Sequence, residues 1–325
     1  MVSMQTNPIA LALASVVPGP AVNFQNLHMI PLLSRDPGGA RPEAGYTVLD
    51  DGLASGLVEV TEVSEGGSVP ELRVVNRGLE PLLIVDGEEL VGAKQNRVVN
   101  LTIMVAAQSE LTIPVSCVEV GRWRTRSRGF ASAPRAQYAS GRAKRMSQVS
   151  ASMSSYGGRA SDQSEVWADI AIKSSRLHAT SPTGAMEAIF LQHSTFIDSC
   201  VHACRPVQGQ VGALFVVAGR IVGFDLFDSG KTLRKLLPKL VRSVAVEALD
   251  AQSDGAAAPE EPSPHGSTPE HFLGAVGAST FGSARAVGLG EDFRLAQPGL
   301  TAAALVAEGR AVHLAAFALA SSKSD

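Results

Sequence analysis

Two stretches in which apolar and polar residues alternate constrain the fold of this chain more than any other feature. The apolar positions are Val99, Leu101, Ile103 and Val105 in the first stretch and Leu111, Ile113, Val115 and Cys117 in the second. Successive side chains of a β-strand point to opposite faces, so each stretch predicts a strand with one apolar face. A loop centred on Gln108 would pair Val99 with Cys117 in an antiparallel hairpin. The next inward pair would be Arg97 and Glu119, two opposite charges at the open end of the hairpin.

Polar residues around this expected pair form the candidate ligand site. The full set is Lys94, Gln95, Asn96, Arg97, Glu119, Arg122 and Trp123. One interpretation is a structural ion pair that closes the hairpin. The other is a pocket in which Arg97 or Lys94 faces an anion and Trp123 offers a stacking surface. If the chain is an enzyme instead, Glu119 or Glu88 would be its acid or base.

Short apolar runs separated by turn signals predict an α+β fold with two lobes. Residues 1–121 read as an antiparallel β lobe, because their Val- and Ile-rich runs are interrupted by turn pairs such as Asp86-Gly87. Residues 163–318 are predicted to form a second lobe of helices and β-hairpins that packs against the first. Its expected elements are helices over 163–177, 182–204 and 232–249, a hairpin of 211–217 with 220–224, and a second hairpin around Glu308-Gly309.

Two segments lack such a pattern. Residues 122–162 are rich in Ser and Gly, and the stretch 122–159 holds nine basic residues and no acidic one. Because the chain as a whole has a net charge of -3, this stretch is its strongest positive field, and we expect a mobile basic loop. Nucleic acid is not an expected partner, since no nucleic-acid-binding motif accompanies the basic stretch. Residues 250–271 are rich in Pro, Ala and acidic residues, which predicts a disordered insertion.

The sequence predicts no metal site, no cofactor and no membrane segment. His193, Cys200 and Cys204 follow the three-and-four spacing of one apolar helix face, which is typical of core packing, and His202 points elsewhere. No complete phosphate-binding loop or dinucleotide fingerprint is present. No run approaches the roughly 18 apolar residues that a membrane helix needs.

Cysteine content and the N-terminal run bear on localisation. The three cysteines, Cys117, Cys200 and Cys204, cannot all pair with one another, and so few in 325 residues argue against a disulfide framework. The apolar run from Ile9 to Val17 is not preceded by Lys or Arg, so it predicts a helix rather than a secretory signal. The expected compartment is the cytoplasm.

Several further segments together carry a family resemblance. They are Asp86 to Arg97, Pro114 to Glu119, Gly121 to Trp123, Ser181 to Ala185, Gln210 to Ala213, Gly223 to Phe227, Gly288 to Asp292 and Val312 to Leu314. In this combination the chain resembles the ARG (ADP-ribosylglycohydrolase) and rhodanese-phosphatase-superfamily-associated proteins. The likeness covers nearly the whole chain and implies one family-wide unit. It also implies a link to NAD or ADP-ribose metabolism by association, and it assigns no catalytic residue.

Three functions are compatible with these features. The leading hypothesis is a cytoplasmic binding or accessory protein that acts beside NAD or ADP-ribose chemistry, with a nucleotide or ADP-ribose-like ligand at the polar cluster near Arg97. The second is an enzyme that acts on a nucleotide-like substrate through Glu119 or Glu88. The third is a scaffold whose basic loop binds an acidic partner. No membrane partner is expected, and the sequence names no protein partner.

Overall fold

An antiparallel nine-stranded sheet, two smaller sheets and eight helices make up the described part of the chain. The computed structural model describes residues 7–36, 45–64, 66, 68, 70–253 and 268–319. The helices are α1 (Pro8–Ala14), α2 (Leu49–Ala54), α3 (Ala139–Tyr156), α4 (Gln163–Arg176), α5 (Glu187–Gln192), α6 (Ser194–Ala203), α7 (Gly230–Ser253) and α8 (Pro269–Ala278). The strands are β1 (Val16–Pro18), β2 (Val22–Phe24), β3 (Leu27–Ser34), β4 (Thr47–Val48), β5 (Val58–Glu62), β6 (Glu71–Asn76), β7 (Leu82–Ile84), β8 (Glu88–Gly92), β9 (Arg97–Val99), β10 (Ile103–Val105), β11 (Ser109–Cys117), β12 (Phe130–Ala136), β13 (Gln210–Val217), β14 (Arg220–Phe227), β15 (Gly282–Arg285), β16 (Glu291–Gln297), β17 (Leu300–Ala307) and β18 (Arg310–Ala318). This mixed content confirms the predicted α+β fold.

The nine-stranded sheet contains strands from both ends of the chain. Its order is β1-β3-β13-β14-β18-β17-β16-β15, with β2 also paired to β3. Because β3 pairs with β13, the N-terminal segment through residue 34 belongs to the second lobe. The predicted β lobe of residues 1–121 therefore needs correction at its start. The sequence did not reveal this pairing, because a strand's own sequence does not encode its partner. The hairpin with β14 covers only one edge of β13, and the other edge pairs with β3.

The first lobe consists of a six-stranded sheet, β12-β8-β9-β11-β6-β5, and a three-stranded sheet, β10-β7-β4. The two sheets share an apolar core that includes Leu72 and Ile84. The predicted hairpin is wrong in its partners, since β10 pairs with β7 and the 109–114 part of β11 pairs with β6.

The register of the remaining pairing also differs from the prediction. Residues 115–117 of β11 pair with β9, where Val115 faces Val99 and Cys117 faces Arg97. Arg97 is thus not opposite Glu119. A shift of two residues keeps every side chain on the same face of the sheet, so alternation alone cannot distinguish the two registers.

β12 and α3 lie within 122–162, the segment predicted to be a mobile basic loop. β12 pairs with β8, and α3 buries apolar residues together with arginines. The buried basic residues of the stretch are Arg122, Arg135, Arg142 and Arg145. Only part of the predicted positive field therefore faces solvent. Composition could not reveal this helix, because its buried arginines pair with carboxylates that are distant in the sequence.

Most predicted elements of the second lobe are confirmed, with one helix divided in two. α4 begins after Asp162, whose carboxylate accepts hydrogen bonds from two backbone amides of the first turn. The helix predicted over 182–204 is instead α5 and α6, with a break at His193. It begins later than predicted because Ser181 caps a turn that precedes α5. The two hairpins turn at Ala218-Gly219 and Glu308-Gly309, where all four residues have positive φ.

α7 connects the two lobes, since it contacts β13 and β14 of the large sheet and β12 of the six-stranded sheet. It extends to Ser253, and α8 begins after Thr268, whose side chain caps it. Both ends of the predicted disordered insertion 250–271 are therefore helical, while its centre, 254–267, lies outside the described residues.

The N-terminal run behaves as a helix followed by a strand. The helix predicted over Ile9 to Val17 corresponds to α1, and β1 begins at Val16. No helix in the described ranges is long and apolar enough to cross a membrane.

Candidate functional site

Arg97 is the central residue of the predicted site and is fully buried at the start of β9. Its Nη1 donates to Oε1 of Gln95 at 3.0 Å, while Nε and Nη2 have no hydrogen-bond partner among the described residues. Among the residues that the structure describes, no carboxylate lies within ion-pair distance of Arg97. Burial lowers the pKa of Arg97 from its ordinary value. Buried charged groups are normally paired and hydrogen-bonded. Arg97 departs from this rule, because one edge of its guanidinium, formed by Nε and Nη2, has no partner among the described residues.

Trp123 covers Arg97 from the solvent side. Its ring centroid lies 5.8 Å from the guanidinium carbon of Arg97 and 5.3 Å from Nζ of Lys94. The side chain of Trp123 is 49% exposed, and Lys94 also donates to the backbone carbonyl of Gly66. The structure therefore brings Lys94, Arg97 and Trp123 together as predicted, in an arrangement of two cations beside one accessible aromatic ring.

Glu119 has a different partner from the one expected. Its Oε2 lies 2.7 Å from Nη2 of Arg122, and both side chains are buried. Oε1 accepts from the hydroxyl of Thr183, and Oε2 also accepts from the backbone amide of Asn96. Burial opposes ionisation of Glu119, but the hydrogen bonds from Arg122 and Thr183 lower its pKa below the usual range. This pair is a structural anchor for the loop that carries Trp123.

Gln95 and Asn96 hold the site in place. The amide of Gln95 donates to the carbonyl of Glu119 and its oxygen accepts from Arg97. Asn96 accepts from Nη2 of Arg122 and donates to Glu89. Because both side-chain amides already have partners, they position the loop rather than offer groups to a ligand.

Glu88, the other candidate acid or base, is not part of this cluster. One carboxylate oxygen of Glu88 pairs with Lys239 of α7 at 2.6 Å, and the other accepts from the backbone amide of Val85 at 2.8 Å. The oxygens of both Glu88 and Glu119 are thus engaged by the fold. The geometry does not favour either residue as an acid or base.

A second polar cluster, which sequence reasoning missed, is buried between the two lobes. We call it the junction cluster; its buried members are Asp86, Arg142, Arg145, Asp225, Asp292, Arg294 and His313, and the half-buried Thr102 completes it. Arg142 binds Asp86 at 3.0 Å and Asp225 at 2.7 Å through Nη2. Burial opposes both charges, yet Arg142 lowers the pKa of Asp86 and of Asp225.

Cation binding at the junction cluster is opposed by its own arginine. Ligand atoms of Asp86, Asp225 and His313 lie within 4.8 Å of one another, and among the described residues this is a set that could chelate a metal. Arg142 already occupies both carboxylates, so a divalent ion would have to displace it.

A signal for the junction cluster was present in the sequence. Asp86, Asp225, Asp292 and His313 each lie in one of the separate segments that carry the family resemblance. No local pattern joins them, because Thr102 and His313, which share a hydrogen bond, are 211 positions apart.

The two cysteines in and directly after α6 occupy the positions expected for core packing. Cys200 and Cys204 are free thiols buried in the apolar core. A ring nitrogen of His193 contacts the carbonyl of Leu177, and His202 contacts Arg205 at the surface.

Comparison with known proteins gives one match. A family model described as the ARG and Rhodanese-Phosphatase-superfamily-associated Protein domain matches residues 15–317. No curated protein and no solved structure matches the chain. The matched range contains both polar clusters and all but the first helix and the last residue of β18. The chain therefore belongs to the family of ARG and rhodanese-phosphatase-superfamily-associated proteins.

Proposed function

We propose that this protein binds an anionic, nucleotide-like ligand at Lys94, Arg97 and Trp123, and that it acts as an accessory protein beside NAD or ADP-ribose chemistry. The observation that carries the proposal is the unused edge of Arg97. This guanidinium is fully buried, and its Nε and Nη2 have no partner among the described residues. A phosphate that accepts from both nitrogens would compensate a buried charge that the fold leaves unpaired.

The unused edge has the geometry for a bidentate contact. Elsewhere in the same molecule, Arg294 binds Asp292 through Nε and Nη2, at 2.8 and 3.1 Å. Arg142 binds Asp86 through the same two nitrogens. The guanidinium edge that pairs with carboxylates at two other places is the one left without a hydrogen-bond partner in Arg97, which supports an anion as its partner.

Two neighbouring groups support a nucleotide rather than a simple anion. Trp123 offers a half-exposed ring on which a base can stack. Glu62, which accepts from the backbone amide of Lys94, has a second carboxylate oxygen that is buried and without a hydrogen bond. That oxygen is suited to accept from a ribose hydroxyl.

Surface charge around the ring supports attraction of such a ligand. Arg124, Arg126 and Arg128 are exposed in the loop that follows Trp123. Positive residues at the mouth of a site raise the local concentration of anions and their association rate. The free, buried state of the three cysteines supports a reducing compartment such as the cytoplasm.

Binding of ADP-ribose, ADP and inorganic phosphate, measured by isothermal titration calorimetry, tests this function. We expect ADP-ribose or ADP to bind the wild type, and we expect Trp123→Ala and Lys94→Ala to bind at least about tenfold more weakly without loss of thermal stability. Tyr156→Ala is the control, because Tyr156 is a more exposed aromatic residue at the end of α3.

Three results would contradict the proposal or a part of it. If Trp123→Ala binds ADP-ribose with unchanged affinity, the ligand site lies elsewhere. If none of the three anions binds the wild type, the proposed ligand class is wrong. Binding of phosphate as tight as that of ADP-ribose would remove the role of the ring and of Glu62.

A further inference from the structure

The loop that joins Trp123 to β12 carries an arginine at every second position, and it lies beside the proposed ligand site. Residues 124–128 include Arg124, Arg126 and Arg128, and all three are exposed. We propose that Arg124 and Arg126 bind a second phosphate group, so that the site selects nucleotides that contain a pyrophosphate over nucleoside monophosphates. This inference rests on the proposed function, since it requires a first phosphate at Arg97.

The backbone of this loop is fixed against the turn that follows β8. The amide of Arg126 donates to the carbonyl of Ala93 at 2.9 Å, and the amide of Ala93 donates to Oγ of Ser127 at 2.9 Å. The buried Arg122 donates from Nη1 to the carbonyls of Ala93 and Arg124, at 2.8 and 3.2 Å. The chain that carries Arg124 and Arg126 is therefore already ordered, which lowers the entropic cost of binding a ligand there.

A glycine allows the loop to approach the turn this closely. Gly92 has a φ of 131°, and a Cβ atom there would lie 2.6 Å from Oγ of Ser127 and 2.8 Å from the carbonyl oxygen of Gly129. Any larger residue would push the loop away from the turn that carries Lys94. The contact between the loop and the ligand site therefore requires glycine at this position.

The side chains of Arg124 and Arg126 are available to a ligand. Among the described residues, their guanidinium groups form no hydrogen bond and no ion pair. Arg128 differs from them, because it already faces a carboxylate. The hydrogen bond from Arg77 lowers the pKa of Glu59, and the charge of Arg128 lowers it further. The second phosphate is therefore assigned to Arg124 and Arg126 and not to Arg128.

The cations of the site lie at two depths, which favours a ligand with two linked phosphates. Arg97 is fully buried and has one edge without a partner among the described residues, which a single phosphate can occupy. Trp123 is half-exposed and directly precedes the exposed Arg124, so the loop cations lie on the solvent side. A second phosphate joined to the first would extend toward solvent and meet these cations. Arginine suits this contact, because its planar fork binds phosphate oxygens in pairs.

Affinities for ADP-ribose and AMP, measured by isothermal titration calorimetry, test the inference. Both nucleotides carry a charge of about -2 near neutral pH, so net charge alone favours neither. We expect the wild type to bind ADP-ribose at least about tenfold more tightly than AMP. In the Arg124→Gln, Arg126→Gln double variant this ratio should fall to about twofold or less, because only the second phosphate loses its partners. Arg128→Gln is the matched control in the same loop and should keep the wild-type ratio.

Failure of this inference can be told apart from failure of the proposed function. If the wild type binds AMP as tightly as ADP-ribose, selection by a second phosphate is wrong, while anion binding at Arg97 stands. A double variant that keeps the wild-type ratio would also overturn the inference, because the second phosphate would then bind elsewhere. The same holds if Arg128→Gln lowers the ratio as much as the double variant, since the loop would then act only through its overall charge. If neither nucleotide binds the wild type, the proposed function and this inference are both wrong.

Discussion

Three of the largest fully buried side chains are arginines, and they differ in how the fold pairs them. Arg142 makes hydrogen bonds to both Asp86 and Asp225. Arg145 makes none from its guanidinium to the described residues, although Asp86 lies 3.8 Å from its Nη2. Arg97 makes one. The fold therefore uses one of these charges to join the two lobes and leaves the other two incompletely satisfied.

Replacement of Arg142 should destabilise the protein far more than replacement of Arg145. Arg142→Leu leaves two buried carboxylates without their main cation, and we expect the free energy of unfolding to fall by about 3 to 5 kcal/mol. Arg145→Leu removes a guanidinium that makes no hydrogen bond and whose pKa burial lowers to about 10. Both residues lie on α3, so denaturant titration of the two variants is a matched comparison. Equal losses would show that Arg145 has an equal share in neutralising the cluster.

At the scale of elements, local signals predicted what local physics determines. The cap at Asp162, the hairpin turn at Ala218-Gly219 and the apolar spacing of α7 all act within a few residues, and these elements occur as expected. The proximity of Lys94 and Arg97 to Trp123 was expected as well, because the pairing of β9 with β11 brings the segments before β9 and after β11 to the same end of the sheet. The structural contacts that engage Glu119 and Glu88 were not predictable in the same way, since their partners are set by packing.

Elements that depend on distant partners were missed. α3 looks like a loop in sequence because its buried face carries Arg142 and Arg145 among small residues, and the carboxylates that accept them lie in other elements. The junction cluster was missed for the same reason. The hairpin register was wrong because alternation specifies the face of a strand and not its partner.

The thiols of α6 give a pH-dependent prediction at this scale. Burial raises the pKa of Cys200 to about 12 and that of Cys204 to about 11. In the unfolded chain a thiol has a pKa of about 8.5. Because the folded state holds these protons more tightly, the thiols contribute their full stability below about pH 8.5, and this contribution is lost as the pH rises through the folded-state values. We therefore expect wild-type stability to decline between about pH 8.5 and 12 more steeply than that of the Cys200→Ala, Cys204→Ala double variant.

Denaturant titration of both proteins at pH 7.5 and pH 10 measures this difference. At pH 7.5 the double variant should be less stable by about 1 kcal/mol or more, because it loses packing in the core. Parallel pH profiles would show that these thiols ionise in the folded protein as readily as in the unfolded one.

At the scale of the whole molecule, the two lobes are joined by shared structure. The N-terminal strands complete the sheet of the second lobe, α7 contacts both lobes, and one apolar core contains residues of both, such as Val98 and Phe215. The boundaries drawn from sequence composition therefore do not coincide with units that could be removed.

Replacement of residues 250–271 by a short Gly-Ser linker should lower the melting temperature. The exchange removes Asp250, which pairs with Lys173 at 2.6 Å, and also the Thr268 cap of α8. Loss of a helix cap alone typically lowers stability by about 1 kcal/mol. Replacement of 254–267 only is the control, and from its Pro-rich, acidic composition we expect little change. Equal melting temperatures for the two replacements would contradict the structural role of the flanking residues.

The most direct test of the account is thermal unfolding of Arg97→Met with and without ADP-ribose. We predict that Arg97→Met is at least as stable as the wild type without ligand, because an apolar side chain of similar length replaces a buried charge that lacks a carboxylate partner. We also predict that ADP-ribose raises the melting temperature of the wild type but not of the variant. Arg122→Met is the matched control and should be destabilised by about 3 to 5 kcal/mol, because it leaves Glu119 buried and unpaired. An anion site at Arg97 is contradicted if Arg97→Met loses as much stability as Arg122→Met, or if it retains the full response to ADP-ribose.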